Sequence, residues 1–304
     1  LRLHNVVKQF ADVRAVNGIS FEVRKGTITG LLGRNGAGKT TTIRMITGIF
    51  YPDEGHIEVL GSTNSQAVRD RIGYLPEERG VYKQMKIGEL LLFFAEIKGR
   101  TGSPVKASME KWLNRFELWD KRDKKIEELS KGNQQKVQLI ASLLHDPDIL
   151  ILDEPMSGLD PVNVVLVRGL LRELRDEGRT ILLSTHMMHE AERLADDIVL
   201  IHQGEIVLSG ALDQVRRSYG RNTVQIDFDG DGHFLESLPG VAKGTIVDNS
   251  AELSLAVGTD PQSLLESAIG RLRIRRFELA SPSLEEIFID KVGDDTLAQS
   301  EVAQ

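Results

Sequence analysis

Hydrophobic and polar residues alternate along the first two thirds of the chain in a way that predicts buried strands separated by amphipathic helices. Five apolar runs are short and nearly continuous, which is typical of strands covered on both faces. These candidate strands are Ile28 to Leu32, Ile72 to Leu75, Ile149 to Leu152, Thr180 to Ser184 and Ile198 to His202. The pattern predicts an α/β domain with a mainly parallel sheet over residues 1–218.

Between Gly80 and His145 the spacing of apolar residues changes to that of helices. Ile87, Leu90, Leu91 and Phe94 fall at i, i+3, i+4 and i+7, on one face of a helix. We therefore predict a helical subdomain over about 80–145, inserted in the sheet domain.

Strand-like alternation returns after Arg221. The alternating apolar residues are Val224, Ile226, Phe228, Leu253, Leu255 and Val257. Asp260-Pro261 has the capping residue and the proline that begin a helix, and Ser283 with Glu286 forms a capping box for another. These signals predict a small α+β accessory domain over 219–292 and a loose polar tail over 293–304.

Length and composition limit the classes of function. A chain of 304 residues with 40% hydrophobic and 27% charged residues is that of a globular protein of about two domains. The net charge of −7 argues against a protein that coats nucleic acid, because no general positive field is present. The chain has no cysteine, which excludes disulfides and thiolate metal sites. Its longest apolar run, Leu90 to Ala95, is far shorter than the roughly 18 residues that span a bilayer.

A glycine-rich segment directly after the first candidate strand predicts a phosphate site. It reads Gly33-Arg34-Asn35-Gly36-Ala37-Gly38-Lys39-Thr40, which fits G-x-x-x-x-G-K-[ST], and a helix from Thr41 to Thr47 is expected to follow. The glycines let successive backbone N–H groups converge on one anion, and the helix adds the positive end of its dipole. We expect Lys39 to reach the β- and γ-phosphates of a nucleotide and Thr40 to offer its hydroxyl to Mg²⁺.

Two adjacent carboxylates end the candidate strand at Ile149 to Leu152. In parallel sheets such a strand end lies beside the phosphate loop. We assign Asp153 to Mg²⁺ or its waters. Because adjacent residues of a strand point in opposite directions, Glu154 is assigned a different role, that of polarising the water that attacks the γ-phosphate. An acidic strand end that only caps the next turn is the alternative, and the preceding glycine loop disfavours it.

A third polar segment precedes a predicted helix that runs to about His145. It reads Leu129-Ser130-Lys131-Gly132-Asn133-Gln134-Gln135. Ser130 and the backbone N–H groups after it would form a second anion site at a helix N-terminus. A triphosphate already held by its own glycine loop has one exposed flank, so a second anion site suggests ATP held between two subunits. Taken by itself, the segment fits an ordinary serine-capped helix better than an anion site, and both interpretations stay open.

These segments, in this order, make residues 1–215 resemble the nucleotide-binding subunit of an ABC transporter. The matching segments are Gly33 to Thr41 for the Walker A motif, Leu129 to Asn133 for the signature, Ile149 to Glu154 for Walker B, Ser157 to Asp160 for the D-loop and Ser184 to His186 for the switch histidine. The resemblance implies a P-loop ATPase fold with a parallel sheet core, an antiparallel β part and a helical subdomain, and it implies ATP and Mg²⁺ as ligands.

The resemblance also implies roles for single residues. His186 is expected to contact the γ-phosphate, and Asp160 to couple two ATP sites across a head-to-tail dimer. Phe10 lies 23 residues before Gly33, where the family has an aromatic residue that stacks on adenine. On spacing alone, a core phenylalanine is an equal alternative. The expected nucleotide-binding set is Phe10, Gly33, Arg34, Asn35, Gly36, Ala37, Gly38, Lys39, Thr40, Thr41, Ser130, Lys131, Gly132, Asn133 and Asp160; the catalytic set is Lys39, Glu154 and His186.

Two positions depart from the common family pattern. Glu77 occupies a loop position that usually carries glutamine, which meets Mg²⁺ and contacts the membrane subunit. Glutamate also ligates Mg²⁺ but offers no amide donor, so Glu77 joins Thr40 and Asp153 as an expected metal ligand. The usual Gly-Gly-Gln of the signature is here Lys131-Gly132-Asn133. With Glu77 to Gly80 and Ser281 to Phe288, these variants resemble an exporter branch related to sodium and drug efflux ATPases, which carries a C-terminal accessory domain.

The function implied by the resemblance is ATP hydrolysis that powers an ABC transporter, with export favoured. The expected partners are a second ATPase subunit, identical or different, and integral membrane permease subunits, without nucleic acid. The expected location is the cytoplasmic face of the cell membrane. Val81, Tyr82 and Met85 either form a socket for a cytoplasmic helix of the partner or belong to the local core.

The alternative function is that of a soluble ABC ATPase acting on nucleic acid or ribosomes. Such proteins usually join two cassettes or insert a long coiled coil, whereas this chain has one cassette and 91 positions from Lys39 to Ser130 without a heptad run. A P-loop GTPase or small-molecule kinase is a third possibility. It is disfavoured because the chain lacks an Asn-Lys-x-Asp motif for base recognition and because the signature segment would have no purpose.

Overall fold

The chain divides into two units, Leu1–Ala211 and Leu212–Gln304. The computed structural model describes residues 1–63, 66–78, 82–219, 223–256, 258–280 and 282–292. The predicted domain boundary at 218 falls at the end of a helix, Leu212–Ser218, that belongs to the second unit. Predictions that fall outside the described residues concern Arg79, Gly80, Val81, Val257, Ser281 and the tail at 293–304.

The first unit contains ten strands and seven α-helices within its described residues. The strands are β1 Arg2–Phe10, β2 Val13–Glu22, β3 Ile28–Leu32, β4 Glu54–Val59, β5 Ser62–Thr63, β6 Ile72–Leu75, β7 Ile149–Asp153, β8 Thr180–Thr185, β9 Asp197–His202 and β10 Glu205–Ala211. The helices are α1 Lys39–Ile46, α2 Gln66–Arg69, α3 Ile87–Ile97, α4 Ser103–Arg115, α5 Lys131–Leu143, α6 Pro161–Asp176 and α7 Met188–Leu194.

A six-stranded sheet forms the centre of this unit, in the order β6-β7-β8-β3-β9-β10. All pairs are parallel except β9 with β10. Every residue of β3, β7 and β8 is buried, which explains why their sequences are mostly apolar. The predicted α/β class with a mainly parallel sheet is confirmed.

A second, antiparallel sheet of the first unit has the order β2-β1-β4-β5. Its pairing is irregular, with register shifts along both the β1–β2 and the β1–β4 ladders. Asn5, within β1, has a φ of 46°, in the left-handed region, where the β1–β4 register shifts. These irregularities interrupt simple alternation, so the sequence pattern did not delimit the strands.

Helices α3, α4 and α5 occupy the predicted helical subdomain. Ile87, Leu90 and Leu91 of α3 are fully buried, and Phe94 packs against the same apolar cluster while partly exposed. The cluster joins these helices to the face of the central sheet that carries Leu150 and Leu152. The predicted helical face is therefore a packing face.

The second unit contains an antiparallel sheet in the order β12-β13-β11-β14. Its described elements are α8 Leu212–Ser218, β11 Thr223–Asp229, β12 Val241–Val247, β13 Ser250–Leu255, α9 Pro261–Ala268 and β14 Arg273–Ala280, followed by helical residues 284–292. Asp260 caps α9 by accepting a hydrogen bond from the Gln262 N–H at 3.0 Å. Ser283 and Glu286 form the predicted capping box, with reciprocal hydrogen bonds between side chain and backbone. This is the α+β arrangement that the sequence predicted.

A buried histidine links α5 to the central sheet and makes stability depend on pH. His145 is 4% exposed, and its Nε2 lies 3.0 Å from the carbonyl oxygen of Ile72. Burial lowers the pKa of His145 from 6.5 to about 4. The neutral ring therefore contributes stability that is complete above pH 6.5 and is lost as the pH falls towards 4.

We expect acidification from pH 7 to pH 4 to lower the free energy of unfolding through His145 by about 3 kcal/mol, since one pKa unit corresponds to about 1.4 kcal/mol. Urea unfolding of the native chain and of His145→Gln at several pH values measures this contribution. The glutamine amide keeps a hydrogen-bond donor near Ile72 but does not titrate. An identical pH dependence in both proteins would contradict the assignment.

Candidate nucleotide and metal site

The parallel register brings the carboxyl ends of four strands to one edge of the central sheet. Leu32 at the end of β3 pairs with Thr185, and Asp153 at the end of β7 pairs with Ser184. Leu75 at the end of β6 pairs with Leu152. The glycine loop, the paired carboxylates, His186 and Glu77 follow directly after these strand ends and so meet at one place.

The glycine loop passes so close to neighbouring backbone that side chains are excluded at two positions. Gly38 has a φ of 107°, and a Cβ atom there would lie 2.5 Å from the carbonyl oxygen of Ala15. A Cβ atom on Gly33 would lie 2.3 Å from the carbonyl oxygen of Ile201. The chain therefore needs glycine here to turn its N–H groups into the loop.

Lys39 is buried in the loop as the first residue of α1. The helix thus begins two residues before the predicted Thr41, and Lys39 and Thr40 lie in its first turn. The Lys39 Nζ donates to the carbonyl oxygens of Gly33 at 2.8 Å and Arg34 at 3.2 Å. Burial lowers the pKa of Lys39, and the nearby Glu154 carboxylate opposes this shift. An amine held by backbone carbonyls inside a phosphate loop is positioned to exchange these partners for phosphate oxygens.

Asp153 and Glu154 both face the site, whereas strand alternation predicted that they point in opposite directions. Asp153 is the last residue of β7, and Glu154 follows it with a φ of 50°, in the left-handed region. The strand alternation used to separate their roles therefore stops at Asp153, and the backbone turn re-aims Glu154. Its Oε1 lies 3.9 Å from the Lys39 Nζ.

A histidine meets the second carboxylate. The His186 Nδ1 lies 2.8 Å from Glu154 Oε1, and the His186 backbone N–H donates to the same oxygen at 3.0 Å. Glu154 is 4% exposed, whereas the His186 side chain is about half exposed. One oxygen of Glu154 is thus fixed by His186, and the other is left for a further partner.

The donor set fits a magnesium ion. The second oxygens, Asp153 Oδ2 and Glu154 Oε2, are buried without a hydrogen-bond partner among the described residues. The Thr40 hydroxyl donates to Glu77 Oε2 at 3.4 Å, so the predicted ligands Thr40 and Glu77 are adjacent. All these donors are oxygens, which Mg²⁺ prefers.

A cavity of about 330 Å³ lies between the loop and these groups. Its described lining residues are Ala15, Asn35, Gly36, Gly38, Lys39, Thr40, Thr41, Glu77 and Glu154. A wider cavity of about 600 Å³ on the other side of the loop is lined by Arg34, Asn35, Gly36, Ala37, His186, His202 and Gln203. The predicted loop residues and His186 therefore border open space that a nucleotide can enter.

Three residues of the site were not assigned from the sequence. The Ser184 hydroxyl donates to Asp153 Oδ1, and the Glu154 N–H donates to Ser184 Oγ at 3.1 Å. Tyr74 lies near Asp153; burial raises the pKa of Tyr74 to about 12, and the Asp153 carboxylate adds to this effect. The backbone carbonyl of Ala15 lies beside Gly38 of the glycine loop, and Ala15 lines the cavity of about 330 Å³. Only the strand order, which pairs β7 with β8 and β6, would have identified the first two.

Phe10 is exposed on the hairpin that borders the cavity. It pairs with Val13 at the turn between β1 and β2, and Ala15 of the same hairpin lines the cavity. The ring is 41% exposed, contacts the Phe50 ring edge-to-face at 5.4 Å, and has the Lys8 ammonium 5.5 Å from its centroid. This exposure disfavours the core alternative and leaves a ring face for stacking.

The signature segment and the D-loop lie close to one another, at a place separate from the two loop cavities. Ser130 caps α5 by accepting from the Asn133 N–H at 3.4 Å, and Asp160 caps α6 by accepting from the Asn163 N–H at 3.0 Å. A Cβ atom on Gly132 would lie 3.4 Å from the Gly158 carbonyl oxygen. Among the described residues that line the two loop cavities, neither Asp160 nor any residue of 130–133 occurs.

A glycine loop after a buried parallel strand, a lysine within it and two carboxylates at a neighbouring strand end define a P-loop nucleotide hydrolase. Two family models match the chain: that of the ABC transporter family over residues 16–157, and that of the DrrA1-3-like ATP-binding protein C-terminal domain over residues 210–292.

Known proteins similar to the chain cover nearly all of it. The uncharacterized ABC transporter ATP-binding protein YhaQ of Bacillus subtilis is 42% identical over 293 residues, 96% of this chain and 98% of that protein. The Nod factor export ATP-binding protein I of Burkholderia lata is 36% identical over 293 residues, 95% of each. The solved structure of an ATP binding subunit of an ABC transporter has a TM-score of 0.68 at 31% identity and covers 72% of this chain and 92% of its own.

The chain therefore belongs to the ATP-binding subunits of ABC transporters, and it is an ATPase. The resemblance found in its motifs is confirmed, including the accessory C-terminal domain. Within the part of the chain that the structure describes, each helix is too short or too polar to cross a membrane.

Proposed function

We propose that this chain is the ATP-hydrolysing subunit of an exporter, working at the cytoplasmic face of the membrane with a second ATPase subunit and with permease subunits. The observation that carries the proposal is that one chain holds two separate candidate phosphate sites. The glycine loop and its carboxylates border one cavity, and the Ser130 segment begins α5 and is absent from the described lining of both loop cavities. We infer that the two are the halves of one composite ATP site. The export direction is supported by the relative named for Nod factor export.

In the proposed mechanism, Glu154 is the general base. Its Oε2 is buried without a partner among the described residues, while Oε1 is held by His186, so the free oxygen is available to accept a proton from the attacking water. Lys39 and the loop N–H groups hold the β- and γ-phosphates. His186, half exposed beside Glu154, orients the carboxylate and contacts the γ-phosphate.

Mg²⁺ would be held by Thr40, Glu77 and Asp153, and it would neutralise charge on the β- and γ-phosphates. The buried free oxygen of Asp153 and the adjacency of Thr40 to Glu77 support this set. Glutamate at position 77 adds a negative charge that the usual glutamine lacks, so the site is suited to a cation even before nucleotide binds.

The second subunit closes the pocket in this proposal. Ser130 and the N–H groups of Lys131, Gly132 and Asn133 begin the 13-residue helix α5, whose positive dipole end attracts the γ-phosphate of the nucleotide bound by the other subunit. Asp160 lies at the start of α6, in the D-loop that contacts Gly132, and so is positioned to relay closure between the two sites.

The permease contact is proposed on an apolar surface next to the Glu77 loop. The Tyr82 ring contacts the Phe93 ring edge-to-face, and Phe93 contacts Phe94 in the same way. Tyr82 is 56% exposed. Ile97, also exposed, lines a neighbouring groove of about 310 Å³ together with Phe94, and the surface of this groove is mostly apolar. The groove and the aromatic row together fit one face of a short amphipathic helix from a membrane subunit. Met85 packs against the apolar cluster of the helical subdomain.

We expect Ile97→Glu to abolish co-purification of a multi-spanning membrane protein with this chain from detergent-solubilised native membranes. The buried carboxylate would lose its hydration at the interface. The basal ATPase rate of the isolated chain should stay within about twofold, because Ile97 is not among the described residues that line the two loop cavities. The matched control is Ile269→Glu, an equally exposed isoleucine in the second unit. Retention of the membrane protein by Ile97→Glu would refute this surface, and tightly held RNA in place of a membrane protein would refute the transporter proposal.

A further inference from the structure

Three side chains that can ligate a metal lie together on the exposed face of the antiparallel sheet β2-β1-β4-β5 of the first unit, away from the nucleotide loop. His4 of β1 pairs directly across the ladder with His56 of β4, and their rings stack with centroids 4.6 Å apart and an interplanar angle of 18°. Glu58 lies two residues further along β4, on the same face, with Oε1 3.8 Å from His56 Nε2. One ligand atom from each of the three residues lies within 4.8 Å of the others.

The backbone fixes this cluster, while the side chains remain accessible. Leu3 and Ile57, the neighbours that point to the opposite face, are buried in the core and hold the two strands in register. The side chains of His4 and His56 are exposed, and Glu58 is partly exposed. Because the two rings are stacked almost in parallel, at least one of them must rotate out of the stack before both point a nitrogen at one ion. Both histidines are exposed and have room for this rotation, which would bring the ligand atoms to the separation of about 3.4 Å that tetrahedral coordination at 2.0–2.2 Å requires.

We propose that His4, His56 and Glu58 form a surface site for a transition-metal ion of the Zn²⁺ class. Two imidazoles and one carboxylate are ligands that Zn²⁺ accepts, with water in the fourth position, whereas Mg²⁺ and Ca²⁺ favour sites made of oxygen alone. The site is independent of the nucleotide. Phe10, at the nucleotide end of β1, is six residues from His4, or about 20 Å along an extended strand.

The ion would fasten β1 to β4 at the point where their pairing becomes irregular. The register of this ladder shifts between His4 and Val7, and Asn5 has its left-handed backbone there. A bound ion joins the strands through side chains on the regular side of the shift. Because only the folded chain brings His4 and His56 together, binding stabilises the folded state by linkage.

The test uses the full chain without an affinity tag, in excess Mg²⁺ so that the nucleotide carboxylates are occupied. Calorimetric titration with Zn²⁺ is expected to give one ion per chain and a higher melting temperature. Co²⁺ in place of Zn²⁺ is expected to give the intense visible absorption of a tetrahedral ion. Each of His4→Asn, His56→Asn and Glu58→Gln should weaken Zn²⁺ binding at least about tenfold.

The matched control is His233→Asn, which removes an exposed histidine of the second unit and should leave the titration unchanged. The proposal is overturned if the native chain shows no saturable Zn²⁺ binding and no Co²⁺ absorption. It is equally overturned if binding survives unchanged in both His4→Asn and His56→Asn, since the ion would then be held elsewhere.

Discussion

Glu154→Gln is expected to lower the ATP turnover number by about 10²–10⁴-fold, the range that a general base contributes. Glutamine keeps the shape of the side chain and can still hydrogen-bond to His186, but it cannot accept the proton of the attacking water. ATP binding should persist, because Lys39 and the glycine loop are unchanged. Unhydrolysed ATP should therefore hold the two subunits together.

Steady-state ATP turnover and size-exclusion chromatography with and without Mg-ATP measure these two effects. The matched control is Glu266→Gln, the same substitution at an exposed position of α9, for which turnover should stay at the native rate. A Glu154→Gln chain with native turnover would refute the assignment of the base. A chain that is inactive yet also fails to bind ATP would show that Glu154 supports the loop rather than the reaction.

The central sheet was predictable because its strands are buried on both faces. Ile28 to Leu32 and Ile72 to Leu75 coincide with β3 and β6, and the other three candidate strands differ by one residue at an end. A strand that is covered on both faces is mostly apolar, so its burial leaves a recognisable apolar run in the sequence. The strands of the antiparallel sheet β2-β1-β4-β5 could not be delimited in this way, since they are half exposed and β1 contains a left-handed residue, Asn5.

Motifs predicted which residues would lie together at the candidate site, but they did not predict the directions in which the side chains point. The predicted reason for giving Asp153 and Glu154 different roles was strand alternation, whereas in the structure a left-handed turn at Glu154 brings both carboxylates to the site. A glutamate at positive φ has no sequence signal, because tertiary contacts impose it. The backbone N–H of Glu154 donates to Ser184 on β8, and that pairing depends on strand order rather than on local sequence.

Contacts between segments that are distant in the chain could not be predicted either, because they also depend on strand order and register. His4 and His56 are far apart in the chain, and they become neighbours only through the β1–β4 ladder. Neither residue lies in a motif, and the separation of the two histidines along the sequence does not resemble that of a local metal-binding motif. The register between strands, which the structure supplies, is therefore needed to show which candidate residues lie together in one site.

The proposed division of the ATP site between two chains leads to a complementation experiment. Lys39→Met removes the phosphate-binding amine but keeps the buried stem, and Ser130→Asp keeps a good helix cap while adding a negative charge beside the γ-phosphate. Each variant alone should lose at least about 10²-fold in ATP turnover, since each removes electrostatic stabilisation of the transferred phosphoryl group. If the second subunit is another copy of this chain, mixing the two variants should restore activity.

Restoration follows from counting intact sites. In a mixed dimer, one pocket combines both substitutions, while the other joins a native glycine loop to a native Ser130 segment. Equal mixing makes half of the dimers mixed, each with one intact pocket, so turnover should recover to about a quarter of the native rate when the pockets act independently. The control mixes Lys39→Met with the double variant Lys39→Met/Ser130→Asp, a combination in which every pocket lacks the lysine and nothing should recover. If exchange of subunits is verified and the first mixture stays inactive, the two halves do not meet across a dimer of this chain.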